Sequence, residues 1–130
     1  MPEKNSHVVL VVDDDRMARS VIVNMLELKG YQILEADNSH EALNYLRSRQ
    51  AVDLLVTDYH MPGNLNGEQF VKLARSLRPS LKVLYATGYA DALRGDASDD
   101  GDTQILAKPF QLNVFLGKVG TMIAGQNQAM

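Results

Sequence analysis

Cysteine is absent from this sequence, so disulfide bridges and thiolate metal sites are excluded. Basic residues are not in excess either, since 13 lysines and arginines stand against 16 acidic residues, for a formal net charge of −3. A chain with this balance is not expected to bind the phosphates of a nucleic acid. Neither a G-x-G-x-x-G pattern nor a Walker-type loop occurs, which argues against a nucleotide-binding Rossmann module.

Long apolar runs are also missing. The run Val8–Val12 follows a polar start and is too short for a signal-peptide core or a membrane span. We therefore expect a cytoplasmic protein with no membrane partner. The 130 residues, of which 45% are hydrophobic and 22% charged, predict a single globular domain over 1–130 with its core at about 7–124.

Apolar runs of strand length alternate with segments of helical spacing. Besides Val8–Val12, such runs occur at 31–35, 53–57, 81–86 and 104–107. Continuous apolar runs suit strands that are buried on both faces. Because strands that alternate with helices need crossover connections, the pattern predicts an α/β fold, a doubly wound five-stranded parallel sheet with about five helices.

Apolar residues spaced three and four apart indicate the helices. These residues are Met17, Val21, Met25 and Leu28; Ala42 and Leu46; Phe70, Leu73 and Leu77; and Leu112, Leu116, Val119 and Ile123. Gly30 is the predicted stop of the first helix, and Ser39 is the predicted N-cap of the second. The helix expected in 91–102 is weak, because that segment contains five aspartates, two glycines and one large apolar side chain, Leu93.

Polar and charged residues follow the predicted strands. Asp13, Asp14 and Asp15 follow the first, Asp58 the third, Thr87 and Gly88 end or follow the fourth, and Lys108 with Pro109 follows the fifth. The carboxyl ends of parallel strands share one edge of the sheet, which is where ligands bind in such folds. The sequence therefore predicts a cluster of carboxylates, a hydroxyl and an ammonium group at that edge.

The predicted cluster has the groups that phosphoryl transfer needs. Oxygen ligands without imidazole or thiolate favour Mg²⁺ or Mn²⁺, and a Mg²⁺ ion on one or two carboxylates completes its shell with water or phosphate oxygens. Asp58 is a candidate carboxylate nucleophile, while Lys108 and Thr87 are candidates to contact the phosphoryl oxygens. Each motif also has a plain structural interpretation: a helix cap for the three aspartates, with Asp15 as the cap alone, a turn residue for Asp58, and a solvated surface residue for Lys108.

Four motifs, in order and at characteristic spacing, carry a family resemblance over nearly the whole chain. They are V-V-D-D-D at 11–15, V-T-D-Y-H-M-P at 56–62, A-T-G at 86–88 and A-K-P-F at 107–110. The chain resembles the receiver domain of response regulators in bacterial two-component systems, a CheY-like, flavodoxin-like fold. This resemblance implies the strand order 2-1-3-4-5 and a cis bond between Lys108 and Pro109.

The resemblance also implies a role for each site residue. Asp58 becomes the phosphoacceptor, and Asp14 and Asp58 ligate Mg²⁺ together with the backbone carbonyl of His60. Asp13 acts on the metal mainly through a bound water.

Thr87 then hydrogen-bonds the phosphoryl group, and Lys108 forms an ion pair with it. The implied phosphoryl donor is a phosphohistidine on a histidine kinase or a phosphotransfer protein. The domain would catalyse only its own phosphorylation and dephosphorylation, and would signal to a downstream protein target as a monomer or weak dimer.

The sequence departs from the family pattern at several places. Ile105 occupies the position where receivers usually have a switch aromatic, and Tyr85 or Tyr89 is a candidate substitute. The string Y-A-T-G-Y resembles a subgroup with an aromatic-Ala-Thr-Gly motif, the loop 61–67 is one residue longer than the common form, and the acidic segment 91–102 lies on the family's output face.

Two other functions compete with a phospho-accepting switch. A Mg²⁺-dependent phosphatase or phosphotransferase with an aspartate nucleophile usually has a second aspartate two residues later, where this chain has His60. A pseudo-receiver that only binds partners would lack one of the acidic residues or the lysine. The sequence is compatible with a stand-alone regulator and with the receiver of a hybrid kinase.

Overall fold

The computed structural model describes residues 7–59, 66–88 and 102–126, with side chains up to 124. Strands and helices alternate along most of the chain. The elements are β1 (Val8–Val12), α1 (Arg16–Glu27), β2 (Gln32–Ala36), α2 (Ser39–Arg47), β3 (Leu54–Thr57), α3 (Gly67–Leu77), β4 (Val83–Thr87), β5 (Thr103–Ala107) and α4 (Leu112–Gln126).

The strands form one five-stranded sheet in the order β2-β1-β3-β4-β5, and every neighbouring pair is parallel. This confirms the predicted α/β class and strand order. All five residues of β1 are buried, since helices cover both faces of the sheet. That burial explains why β1 appears in the sequence as a continuous apolar run rather than an alternating one.

The core lies in two layers, one on each face of the sheet. Phe70 of α3 and Leu43 of α2 pack on one face, against side chains such as Leu10 and Tyr85. On the other face, the layer includes Leu26 of α1 and Phe115 of α4, among others. The helices thus cover both faces of the sheet and leave its carboxyl edge uncovered by either layer.

The periodic spacing indicates α1 correctly, but it does not identify the buried face of that helix. Met17 is 80% exposed, Val21 51% and Leu28 58%, whereas Ile22 and Leu26 are buried. The two sets are both spaced by about four residues and lie next to each other around the helix, so spacing alone does not choose between them. α1 therefore presents apolar side chains to solvent as well as to the core.

A smaller offset of the same kind occurs in α3 and α4. Leu73 and Leu77 are exposed, and Phe70, Val71 and Ala74 instead cover the sheet. In α4, Leu112 is exposed, while Val119 and Ile123 are buried as their spacing suggests.

Helix termini follow the predicted capping chemistry with one correction. The Asp15 side chain accepts hydrogen bonds from the backbone N–H groups of Met17 and Ala18, which confirms Asp15 as the cap of α1. The prediction of Ser39 as the cap of α2 is wrong. Asn38 is the cap, because its extended backbone (φ −156°) lets its side-chain oxygen accept from the N–H of Glu41 at 2.7 Å.

Gly30, predicted as the stop of α1, has φ 76°. This left-handed conformation favours glycine, and it ends the helix before β2 begins.

Two arginines at the end of α3 hold the connections at the amino edge of the sheet. Arg75 donates to the backbone carbonyls of Leu81 and Asp102, and the latter distance is 2.7 Å. Arg78 donates to three carbonyls at and beyond the end of α2, those of Leu46, Ser48 and Gln50. The segments that lead into β3, β4 and β5 are thereby tied to one helix end.

The helix expected in 91–102, the loop 61–65 and Tyr89 lie outside the described residues, apart from Asp102. Among the described helices, none has the length and apolar character needed to cross a membrane.

Candidate functional site

Three of the predicted residues meet at the carboxyl edge of the sheet. Asp13 follows β1 and Asp58 follows β3, and these strands are neighbours in register, with Val12 opposite Thr57. The ammonium group of Lys108, after β5, lies 3.0 Å from Oδ2 of Asp13 and 3.1 Å from Oδ2 of Asp58. The parallel sheet thus brings together side chains that are 95 and 50 residues apart from Lys108 in the sequence.

The side chains of this ion-pair cluster are largely buried, so the two carboxylates depend on the charge of Lys108 for compensation. The side chain of Asp13 is 2% exposed, that of Asp58 15% and that of Lys108 24%. Burial on its own lowers the pKa of Lys108, but the hydrogen bonds and charges of Asp13 and Asp58 outweigh that effect and raise it above the ordinary value. The ammonium group is therefore held in its charged form between the two carboxylates.

The peptide that carries Asp13 is fixed on several sides. Its N–H donates to the carbonyl of Ala36 at the end of β2, at 3.2 Å. Its side-chain Oδ1 accepts from the N–H of Asp15 at 2.9 Å, and its carbonyl accepts from Nη1 of Arg19 at 2.6 Å. Asp13 is consequently a buried carboxylate with a defined orientation, rather than a mobile residue of the β1–α1 turn.

The three consecutive aspartates occupy three different environments. Asp13 points into the cluster, Asp14 is exposed beside it, and Asp15 caps α1. The carboxylate of Asp14 is thus available to a cation from solvent. The role of helix cap therefore accounts for Asp15, but not for Asp13 or Asp14.

The described residues supply oxygen ligands that fit a hard divalent cation. No group of three aspartate, glutamate or histidine side chains within 7–59, 66–88 and 102–126 is arranged as a metal centre. Asp13 and Asp58 nevertheless converge on a single cation, Lys108, and the exposed Asp14 is the residue after Asp13. One or two carboxylates are what Mg²⁺ takes from proteins, with water for the remainder. The predicted carbonyl ligand, His60, lies outside the described residues.

Thr87 is the last residue of β4 and is completely buried. Its carbonyl accepts from the N–H of Lys108 at 2.9 Å, which fixes the end of β5 next to it. The next residue, Gly88, is exposed, and a Cβ placed there meets no heavy atom within 4 Å. The peptide bond between Lys108 and Pro109 is cis, as the resemblance implies.

Tyr85 fills the core directly opposite Ile105 on the adjacent strand. The residue is 3% exposed, and its ring packs edge-on against Tyr59, with 5.6 Å between the ring centroids. Burial raises the pKa of Tyr85 to about 12, and the nearby charge of Arg75 only partly offsets this effect. Tyr85 is therefore a buried, neutral strand aromatic, which is the plainer of its two sequence-based interpretations.

The structure adds two residues that the sequence did not single out. Arg19 contacts the backbone of Asp13, and Gly67 lies against Tyr59, to whose carbonyl its N–H donates at 2.9 Å. Neither contact could be recognised from a motif in the sequence, because each is made to a backbone atom, which every residue has. The sequence could have drawn attention to Gly67, because it begins a helix close to a family motif.

Beside the site, an apolar groove runs between α1 and the segment after β5. Val21 and Met25 of α1 line it, together with Lys108, Pro109 and Phe110. The ring of Phe110 is stacked on Phe115 of α4.

Comparison with known proteins identifies relatives over almost the whole chain. A sequence model of the family described as response regulator receiver domain matches residues 9–119. The response regulator receiver protein CpdR of Brucella abortus (strain 2308) is 32% identical over 116 residues, which cover 88% of this chain and 95% of CpdR. The structure of the response regulator protein TrrA from Thermotoga maritima, in complex with Mg(2+)-BeF, has a TM-score of 0.76 at 27% identity, covering 89% of this chain and 98% of that one.

Other relatives are much longer than this chain. The chain spans 25% of the response regulator protein FleR of Pseudomonas aeruginosa, with 35% identity over 119 residues. It spans 13% of the sensor kinase CckA of Brucella abortus, with 32% identity over 124 residues. The similarity therefore includes proteins of one domain's length and single segments of larger regulators and kinases.

Proposed function

The chain belongs to the response regulator receiver domain family, and from this membership we propose that it is a signalling switch that accepts a phosphoryl group on Asp58. The observation that carries the proposal is the convergence of Asp58, Asp13 and Lys108, with both carboxylate contacts of the ammonium group at 3.0–3.1 Å. We also propose that the reaction depends on Mg²⁺ and that the phosphoryl donor is a phosphohistidine, and we assign a role to each site residue.

In the proposed reaction, a carboxylate oxygen of Asp58 attacks the phosphorus of a phosphohistidine. The new P–O bond forms as the P–N bond breaks, and the imidazole of the donor keeps the electron pair and takes up a proton. Asp58 suits this role because it is 15% exposed, so that one partly buried carboxylate remains reachable from solvent. Buried Asp13, at 2% exposure, is much less accessible to an incoming donor.

The remaining residues would stabilise the charge that arrives. Bound Mg²⁺ would supply charge neutralisation for the phosphoryl oxygens, held by Asp14 and Asp58 and, through water, by Asp13. Lys108 already contacts Asp58 at 3.1 Å, so a short movement of its flexible side chain would pair it with a phosphoryl oxygen. The hydroxyl of Thr87, at the end of β4, would donate to another oxygen.

Phosphorylation would favour the conformation that closes around the phosphoryl group, and protein–protein contacts would read out that shift. The donor is a histidine kinase or a histidine phosphotransfer protein. Catalysis is limited to the domain's own phosphorylation and dephosphorylation. The chain has a relative of one domain's length, CpdR, and a much longer one, the sensor kinase CckA. Both a stand-alone regulator and the receiver of a hybrid kinase are therefore compatible with the proposal.

Beryllofluoride, an analogue of the phosphoryl group, tests the proposal directly. We expect that titration with beryllofluoride shifts the amide NMR signals of residues near 13–15, 58 and 87–88 only when Mg²⁺ is present. Asp58→Asn should abolish these shifts. Asp37→Asn is the matched control, since Asp37 is an exposed carboxylate after β2 at the same edge of the sheet.

Loss of the shifts in both variants would point to general destabilisation of the edge instead of a specific acceptor. Mg²⁺-dependent shifts that persist in Asp58→Asn would assign the acceptor to another carboxylate. Complete absence of binding in the unsubstituted protein would favour a pseudo-receiver that only binds partners.

A further inference from the structure

Arg19 connects α1 to the turn that carries the acidic residues. It lies in the first part of α1, and its side chain is only 15% exposed. Nη1 donates to the carbonyl of Asp13 at 2.6 Å, and Nε donates to a carboxylate oxygen of Glu35 on β2 at 3.1 Å. The guanidinium group thus bridges the end of β1 and the adjacent strand β2.

The short bond to Asp13 fixes the peptide between Asp13 and Asp14. Because this peptide joins the buried carboxylate to the exposed one, its rotation would change the directions of both side chains together. A charged donor at 2.6 Å from a carbonyl is among the stronger hydrogen bonds in proteins. The bond from the N–H of Asp13 to Ala36 holds the other side of the same residue.

The hydrogen-bond partners of Arg19 do not include the carboxylates of Asp13 and Asp14. Among the described residues, the guanidinium group of Arg19 bonds to a backbone carbonyl and to Glu35, and not to the carboxylate of Asp13 or Asp14. Glu35 offsets the charge of Arg19 and fixes its direction. An arginine placed here would therefore be able to orient these carboxylates without competing for their oxygens.

Arg16, three residues earlier on the same helix, provides a contrast. It is exposed, and its side chain makes no hydrogen bond or ion pair with the described part of the chain. The two arginines contribute the same formal charge near Asp14, but only Arg19 is bonded to the turn.

We propose that Arg19 is a positioning residue for divalent-cation binding, which acts by fixing the Asp13–Asp14 peptide, with Glu35 holding its guanidinium group in place. This inference rests on the proposed function, because it assumes that the carboxylates of this turn bind Mg²⁺. Residues that orient metal ligands from outside typically change metal affinity by about 10–100-fold when they are removed.

The test is a Mg²⁺ titration of the full 130-residue chain, followed by the amide NMR shifts of residues 13–15. Arg19→Met should raise the Kd for Mg²⁺ by about tenfold. Arg16→Met removes an equal charge three residues away, and it should leave the Kd within about twofold of the unsubstituted protein, since an exposed charge is screened by salt. Saturating Mg²⁺ should then restore beryllofluoride binding in Arg19→Met.

Two further variants separate positioning from folding. Glu35→Ala keeps Arg19 but removes its anchor, and we expect it to weaken Mg²⁺ binding less than Arg19→Met does. Arg19→Lys keeps the charge with a single donor group, and we expect it to recover part of the affinity. Amide spectra recorded without Mg²⁺ show whether each variant retains the fold, so that affinities are compared only between folded proteins.

Equal Mg²⁺ affinities for Arg19→Met, Arg16→Met and the unsubstituted chain would overturn the role of Arg19 and leave the proposed function intact. Equal losses in Arg19→Met and Arg16→Met would also overturn it, because charge rather than position would be the cause. If the unsubstituted protein itself binds no Mg²⁺, the metal dependence in the proposed function fails and this inference fails with it.

Discussion

Lys108 acts as the counterion of two carboxylates that would otherwise repel each other. Its ammonium group lies within 3.1 Å of both Asp13 and Asp58, in a site where at least one carboxylate is almost fully buried. Removal of that cation leaves the buried carboxylate of Asp13 without compensation, which costs more than the roughly 1–3 kcal/mol of an unpaired neutral group. We therefore expect Lys108→Met to lower the free energy of unfolding at pH 7 in the absence of divalent cations.

Alkaline pH should remove the same stabilisation. The pKa of Lys108 is raised in the folded protein, so its contribution is fully present below the unfolded value of about 10.4 and is lost as pH rises through the folded value. Urea unfolding at pH 9 and at pH 11 measures this loss. The difference in unfolding free energy between the unsubstituted protein and Lys108→Met should shrink at the higher pH.

Buried Tyr85 also destabilises the fold at high pH, but it does so in both proteins and cancels in their difference. Lys118→Met is the matched control, because the Lys118 ammonium group donates to a neutral amide oxygen of Gln104. A difference that stays constant from pH 9 to pH 11 would contradict the role given to Lys108.

At the scale of elements, the start of α3 is held by a close backbone approach. A Cβ on Gly67 would lie 2.7 Å from Cδ1 of Tyr59 and 2.8 Å from both its Cα and its carbonyl oxygen. Two of these three atoms belong to the backbone and cannot move aside without shifting the residue next to Asp58. We expect Gly67→Ala to destabilise the protein by about 1–3 kcal/mol, as measured by urea unfolding.

Glycines in α4 supply the control for that substitution. A Cβ on Gly117 or Gly120 meets no heavy atom within 4 Å. Because alanine is the better helix former, Gly117→Ala should stabilise the protein by about 0.5–1 kcal/mol. If Gly67→Ala were as well tolerated as Gly117→Ala, the approach to Tyr59 would not be restrictive in solution.

Strands were the most predictable elements of this chain. β1 is buried on both faces, so its sequence is a continuous apolar run whose bounds are clear. The buried side of α1 was not predictable in the same way, because Val21 and Ile22 are adjacent apolar residues and only packing against the sheet selects Ile22. Likewise, Asn38 and Ser39 are adjacent residues that both favour N-cap positions, and the backbone conformation decides between them.

The convergence of Asp13, Asp58 and Lys108 was predictable because parallel strands place their carboxyl ends at one edge. The bond from Arg19 to Asp13 was not, because its acceptor is a backbone carbonyl, which any residue has. The metal ligands and the phosphoacceptor remain predictions that the beryllofluoride and Mg²⁺ experiments test.

At the scale of the whole molecule, α1 presents apolar side chains next to the site. Met17 is 80% exposed and Val21 51%, and Val21 also lines the apolar groove that Lys108 lines. If the proposed phosphodonor protein packs against this surface, its phosphohistidine would lie close to Asp58. We expect Met17→Glu to slow phosphotransfer from autophosphorylated histidine kinases about tenfold, equivalent to about 1.4 kcal/mol.

Small-molecule donors provide the internal control for this prediction. Phosphorylation by acetyl phosphate should be the same in Met17→Glu and the unsubstituted protein, since a small donor does not need the surface of α1. Leu77→Glu changes an exposed leucine on α3, on the other side of the sheet, and should leave both rates unaltered. Equal slowing with acetyl phosphate would show that Met17→Glu damages the site and not a docking surface.

The two arginines at the end of α3 make the two edges of the sheet different in how they are held. Arg75 and Arg78 bind backbone carbonyls of the segments that enter β3, β4 and β5, all at the amino edge of the sheet. Within the described part of the chain, the carboxyl edge, where Asp58, Thr87 and Lys108 lie, is not held by either arginine. If Asp58 is phosphorylated as proposed, we expect the resulting displacements to be larger along the carboxyl edge than at the amino edge, where these bonds hold the strands in place.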